Sequence, residues 1–244
     1  MSNDSTSPDM LSKVRKLLAQ AEDPACTPAE SKAFTAKAAE LIARYGIEKA
    51  LLNAAMPEAQ REAVADRQIL VPAPYSTEKS ALLHLVAQPL NVHTVRLRTT
   101  PRRVGYTVHL FGFPSDLERV ELLFTSLLVQ ASHGIITARP IFQGESPTSY
   151  RRAWLRGFGH EVWARLTAAE QRAKGEHEGP STDLVLANRK SAVDSRAAEV
   201  YPKLRTLPKA KISSTGYGAG RLAGQRADLG GDRVSTAAGA AIGT

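Results

Sequence analysis

The 244-residue chain reads as α+β on three observations. Its first fifty residues carry two stripes of apolar residues at helical spacing, each opened by a proline. Two β-rich runs, 91–98 and 106–112, flank a short turn and predict an antiparallel hairpin. Further amphipathic helical patterns lie on either side of that hairpin, without the regular strand–helix–strand alternation of a doubly wound sheet. The expected architecture is an N-terminal antiparallel helical hairpin followed by an α-β-β-α unit with further helices. The expected divisions are a hairpin and connector over 1–68, an α+β domain over 69–208, and a basic Gly-rich arm or short helix over 209–244 whose end is disordered.

In chain order, Ser7-Pro8 supplies a cap and a proline for the first helix, after which Met10, Leu11, Val14, Leu17, Leu18 and Ala21 form one stripe. A break at Asp23-Pro24-Ala25-Cys26 precedes Thr27-Pro28-Ala29-Glu30, a capping box. Phe34, Ala38, Leu41, Ile42 and Tyr45 give the second stripe, and Gly46 is expected to close it. The Ala- and Glu-rich stretch 47–68 reads as a connector helix interrupted at Pro57. Ile69-Leu70-Val71 is a short strand ended by Pro72 and Pro74, and Ser76 caps a helix to about Gln88. After the hairpin, Ser115-Asp116-Leu117-Glu118 is a second capping box, opening a helix with Leu117, Val120, Leu123, Phe124, Leu127, Leu128 and Ala131 on one face. A long helix is expected from about Ser149 to Lys174, then a strand over Asp183–Ala187 and a helix over 188–201.

The block Lys13-Val14-Arg15-Lys16-Leu17-Leu18-Ala19-Gln20-Ala21-Glu22, with Glu30, Ala33, 36–42 and Tyr45-Gly46-Ile47, resembles the bacterial and phage family known as domain of unknown function 2786. The resemblance is specific over roughly forty residues. It implies a family, no activity and no catalytic residues, and a mild bias toward a nucleic-acid-related role.

No stretch approaches the run of about 20 continuous apolar residues that a membrane helix needs, and the N-terminus lacks the blocks of a signal peptide, so a cytoplasmic protein is expected. A single cysteine, Cys26, allows no intramolecular disulfide and no thiolate cluster. The net charge is +8 and unevenly spread. Residues 1–68 hold 9 Lys and Arg against 10 Asp and Glu, whereas residues 144–244 hold 16 against 10. Such an excess attracts polyanions without specifying a fold.

Candidate binding residues come from strand alternation and helix periodicity. If His93, Val95 and Leu97 on one strand and Tyr106, Val108 and Leu110 on the other all point to the core, the opposite face carries Thr94, Arg96, Arg98, Thr107 and His109, with Arg102 and Arg103 at the turn. That face could neutralise phosphates, or could be an ordinary solvated strand pair. On this register His93 is a core histidine and cannot share an ion with His109. In the long helix, Arg152, Arg156 and His160 follow at four-residue steps, with a Glu161–Arg165 pair on the same surface and Trp163 at its rim.

The Gly-rich stretch 213–231 formally fits a dinucleotide pattern but lacks the preceding strand and the downstream acid. It is instead a helix whose small residues at 216, 220 and 224 let backbones approach, or a basic arm with Lys209, Lys211, Arg221 and Arg226. No catalytic, metal or cofactor residues are expected. The leading expectation is a non-enzymatic nucleic-acid-binding accessory protein, for DNA or RNA, using these cations as phosphate contacts. The competing expectation is a protein-interaction module docking a partner through residues 1–68. A hydrolase using Asp183, Asp194 or Glu199, or a metal, has the least behind it.

Overall fold

A computed structural model describes residues 12–14, 16–17, 28–98, 105–140, 142–177, 179–205 and 215–227. Five expected features therefore lie outside the described residues: the Ser7-Pro8 start, the 23–27 break with Cys26 and Thr27, the turn bearing Arg102 and Arg103, Lys209 with Lys211, and the last residues. The fold is α+β. Residues 12–14 and 16–17 are helical, and the elements that follow are α1 (Pro28–Ala55), β1 (Ala65–Pro72), α2 (Ser76–Ala87), β2 (His93–Arg98) and β3 (Gly105–Gly112). The chain continues through α3 (Pro114–Thr137), α4 (Pro147–Gly175), α5 (Pro180–Val200) and α6 (Gly216–Arg226).

Gly46 does not close its helix: α1 runs nine residues past it, to Ala55. The buried stripe simply continues, with Ala39, Ala43, Ile47 and Ala50 following at helical steps. Neither serine predicted as a cap further along serves as one. The residue before α2 is Tyr75, in the left-handed region at φ 61°, and the residue before α3 is Phe113. Pro114 starts α3, and the Ser115 hydroxyl is buried with no hydrogen-bond partner among the described residues. The strand expected at 183–187 is instead the second turn of α5. The buried stripe of this helix is Thr182, Arg189, Val193 and Ala197, and the apolar run 184–187 lies beside it, with Leu184 62% exposed.

The three strands form an antiparallel sheet in the order β1-β3-β2, so the predicted short strand joins the hairpin as its third member. The register places Val95 opposite His109 and Arg96 opposite Val108. Directly opposed residues share a face. The assumption of one apolar side therefore fails, because the sheet is covered on both. Val108 and Leu110 enter the main core with Val71, Leu83, Val86, Leu123 and Phe158. Val95, Phe111 and Phe113 meet Val193 and Ala197 of α5 on the other side.

The main core is continuous from α1 (Ala38, Ile42, Ile47) through α2 and α3 to α4 (Leu155, Val162, Leu166). Helix α3 is long and apolar enough to cross a membrane by length and composition. Its apolar residues Leu117, Val120, Leu123, Leu127 and Ala131 are buried in this core.

Candidate functional site

The basic surfaces predicted from the sequence are only partly realised. Arg96 lies half-buried on the main-core face, its guanidinium 4.5 Å from the Tyr106 ring centroid. Arg98 ends β2, opposite Tyr106. His109, expected on an exposed cationic face, is 5% exposed. Its Nδ1 meets the Tyr201 hydroxyl at 2.9 Å and its Nε2 the Asp66 carboxylate at 2.8 Å. His109 is thus the core histidine, and His93 is not. Both lie on one sheet face, yet His93 takes a different carboxylate, Asp194, at 2.8 Å. Among the described residues no three His, Cys, Asp or Glu side chains group as metal ligands would.

On α4, Arg152 is exposed, but Arg156 reaches Glu78 at 3.4 Å. Glu161 pairs with Arg221 at 2.8 Å, and Arg165, its expected partner, instead donates to the Gly224 and Ala227 carbonyls. His160 accepts from or donates to the Tyr217 hydroxyl at 2.8 Å. Burial first, then the charges of Arg156 and Arg221, hold its pKa below the usual imidazole range. Arg226 is exposed at the end of α6. Among the described residues, the predicted cations are therefore spread over separate elements, and Arg156 and Arg221 are ion-paired.

Within the Gly-rich stretch, Gly216–Arg226 form a packed helix. A Cβ at Gly216 would sit 2.3 Å from the Tyr150 carbonyl oxygen, and one at Gly220 1.9 Å from that of Trp154. A Cβ at Gly224 would fall 2.7 Å from Glu161 Cβ and 2.8 Å from the Phe158 carbonyl oxygen. The small residues at 216, 220 and 224 are there to let α6 lie against α4. Arg221 points off that seam to Glu161.

The arrangement with most chemical potential was not anticipated. Between α1, α4, α5 and the start of α3 lies a pocket of about 340 Å³. Its polar wall is a chain of buried charges. Arg119, 1% exposed, donates from Nη1 to Asp116 Oδ1 at 2.9 Å and from Nη2 to Glu170 Oε1. Arg189, 7% exposed, donates from Nη2 to Asp116 Oδ2 at 2.9 Å and stacks 3.6 Å over the Phe113 ring. Lys174, Lys190 and Asp183 stand more exposed on the same lining, Lys174 pairing with Asp183 at 2.8 Å. Ile47, Ala50, Leu186 and Ala187 add apolar wall.

Helix geometry explains why these residues converge. Thr167, Glu170, Gln171 and Lys174 recur at three- and four-residue steps on α4, and Asp183, Leu186, Ala187 and Lys190 do so on α5. Asp116 and Arg119 are one turn apart in α3, where the helix start favours the carboxylate. Gly46 lets α1 approach, since a Cβ there would fall 2.0 Å from Arg119 Nη1.

Donor capacity is left over in this wall. Arg119 Nε, Arg189 Nη1 and the Thr167 hydroxyl are buried without a hydrogen-bond partner among the described residues. Such groups are costly to leave unmatched. Burial pushes the Glu170 carboxyl up to about 7, with Arg119 opposing and Asp116 reinforcing the shift.

One signal in the sequence could have found the site. Glu170 falls four residues after Leu166 on the apolar arc of its helix, and Arg119 lies on the apolar arc of its own, among Leu117, Val120 and Leu123. Opposite charges on two core-facing arcs are candidates for a buried pair. The carboxylates suggested for hydrolysis do not gather: Asp183, Asp194 and Glu199 are each at least half exposed and hold separate partners, Lys174, His93 and Arg196.

Residues 9–49 match the family described as Protein of unknown function (DUF2786), which covers the first helical segment and α1 as far as Lys49. That segment contributes Gly46 and Ile47 to the pocket. No curated protein and no solved structure matches the chain.

Proposed function

We propose that the protein binds a small molecule through an anionic group, phosphate or carboxylate, held in the pocket between α1, α3, α4 and α5. The observation that carries this reading is the pair of buried arginines, Arg119 and Arg189, which line the cavity side by side and share Asp116. A guanidinium suits either group, since its planar fork matches their oxygens. Lys174 and Lys190 at the rim would draw an anion inward, and Ile47, Ala50 and Leu186 would cover an apolar portion.

Equilibrium titration of the full chain at pH 6.5 with sulfate, phosphate, nucleoside monophosphates and dicarboxylates tests it. At least one should bind with one-to-one stoichiometry, and Arg189→Gln should weaken that binding by roughly ten- to a hundredfold, the loss of one charge-assisted hydrogen bond. No binding at millimolar concentration by any of them ends the reading.

A second reading, a non-enzymatic nucleic-acid-binding accessory protein, keeps specific support in the exposed Arg152 and in Arg96 stacked on Tyr106. It would use DNA or RNA phosphates as the anions, with a protein partner meeting residues 1–68 on their solvent-facing side. Fluorescence anisotropy with single- and double-stranded DNA and RNA over a salt series separates it from the first. Affinity falling linearly with the logarithm of salt supports it, and no binding at low salt removes it.

A further inference from the structure

We infer that the pocket takes up its anion together with one proton, which Glu170 carries, so that the ligand replaces the Glu170 carboxylate on Arg119. The inference rests on the pocket reading above and adds the charge balance that reading leaves open.

The buried part of the wall is electrically closed before any ligand arrives. Two guanidiniums, Arg119 and Arg189, face two carboxylates, Asp116 and Glu170. An arriving anion brings a third negative charge into a poorly solvated space, where an unbalanced charge is severely penalised. One of the carboxylates has to give up its charge or its place.

The two carboxylates are not equivalent. Asp116 is fixed: its side chain is 5% exposed, Oδ1 is held by Arg119, Oδ2 by Arg189, and the first turn of α3 stabilises its charge. Glu170 has a longer side chain, is 16% exposed, and holds a single cation, Arg119. Glu170 is therefore the group that yields.

The remaining charges around Glu170 do not change this. From α3 it meets Asp116 and Arg119, and from α5 the lining presents Asp183, Arg189 and Lys190. Its own helix adds Lys174, while α1 and the α2–β2 turn line the pocket with uncharged Gly46, Ile47, Ala50, Pro89 and Asn91. Since burial already holds the Glu170 carboxyl near 7, its protonation takes little free energy at neutral pH.

The step balances. A carboxylate of charge −1 gains a proton from solvent, the anion enters with its own charge, and the Arg119 N–H that Glu170 accepted passes to the ligand. With a singly charged anion the site ends with the charge it had; with a dianion such as sulfate it ends one unit more negative, which the rim cations Lys174 and Lys190 offset. The new Glu170 O–H becomes a further donor beside the anion.

Calorimetric titration with sulfate, which does not itself titrate above pH 6, measures the exchange. At pH 8, paired buffers of different ionisation enthalpy should report uptake of about 0.9 proton per sulfate for a group titrating at 7. Affinity should fall up to roughly 30-fold between pH 6 and pH 8.5 for the same reason. Glu170→Gln, which keeps the shape and removes the titration, should bind with no proton uptake and no such slope. Sulfate binding to the natural chain without proton uptake overturns the inference and leaves the pocket reading standing. Uptake that persists in Glu170→Gln also overturns it, because another group then carries the proton. Absence of sulfate binding at every pH overturns the inference, and binding of the other anions in the panel then decides the pocket reading separately.

Discussion

Arg119 is the side chain on which the interior charges depend. It is buried, joins two carboxylates and rests against the bare Cα of Gly46. Removing one member of such a network costs far more than the network contributes, because the others are left charged and unsolvated. Arg119→Met is therefore expected to lower stability by about 3 to 5 kcal/mol in chemical denaturation. Gly46→Ala should cost on the order of 2 kcal/mol despite alanine's better helix propensity, since its methyl displaces the guanidinium from both partners.

Glu170 should also leave a mark on stability against pH. Its carboxyl is raised in the folded chain, so its contribution is fully present below the ordinary carboxylate range and is lost as pH rises through about 7. Between pH 4.5 and 8 the natural chain should lose on the order of 3 kcal/mol that Glu170→Gln does not lose, read from denaturation midpoints at each pH. At this scale sequence reading reached little. Asp116 was visible only as part of a capping motif, whereas its role follows from a partner seventy-three residues away, Arg189.

Among elements, α6 provides the cleanest contrast. Gly220 and Gly218 lie two residues apart on the same helix, one facing α4 and one facing solvent. A Cβ at Gly220 would strike the Trp154 backbone carbonyl, which cannot rotate away, and one at Gly218 would meet nothing within 4 Å. Gly218→Ala should raise stability by up to about 1 kcal/mol through helix propensity alone, and Gly220→Ala should lower it and release α6 from α4. Thermal melts, with hydrogen exchange in 216–226, read both.

The spacing of small residues offered this packing as one of two readings, beside a basic arm, because a four-residue repeat is a property of one helix. The sheet register was not legible. It depends on α5 covering the second face, a contact between Val95 and Val193 that no local pattern encodes. A helix over 188–201 was expected but not its packing on the sheet, so the arginines of β2 were assigned to the wrong side.

Across the whole molecule, the buried network of two arginines and two carboxylates is balanced, so the net charge of +8 is carried outside it. Polyanion binding should therefore be diffuse. Arg152→Ala and Arg96→Ala are each expected to reduce the slope of log affinity against log salt by about 1 without changing any sequence preference. The α+β class and the family of the first segment were both readable, since they follow from periodicity and a local motif. The pocket was not, because it assembles residues from 46 to 190 and exists only once α1, α3, α4 and α5 are packed.

The most direct test of that pocket is a crystal soaked in selenate, with anomalous scattering used to locate the anion. The account predicts a selenate seated against Arg119 and Arg189 at pH 6 and lost in Arg189→Gln. Selenate found only on surface lysines and arginines, with the pocket free of it, would contradict the account.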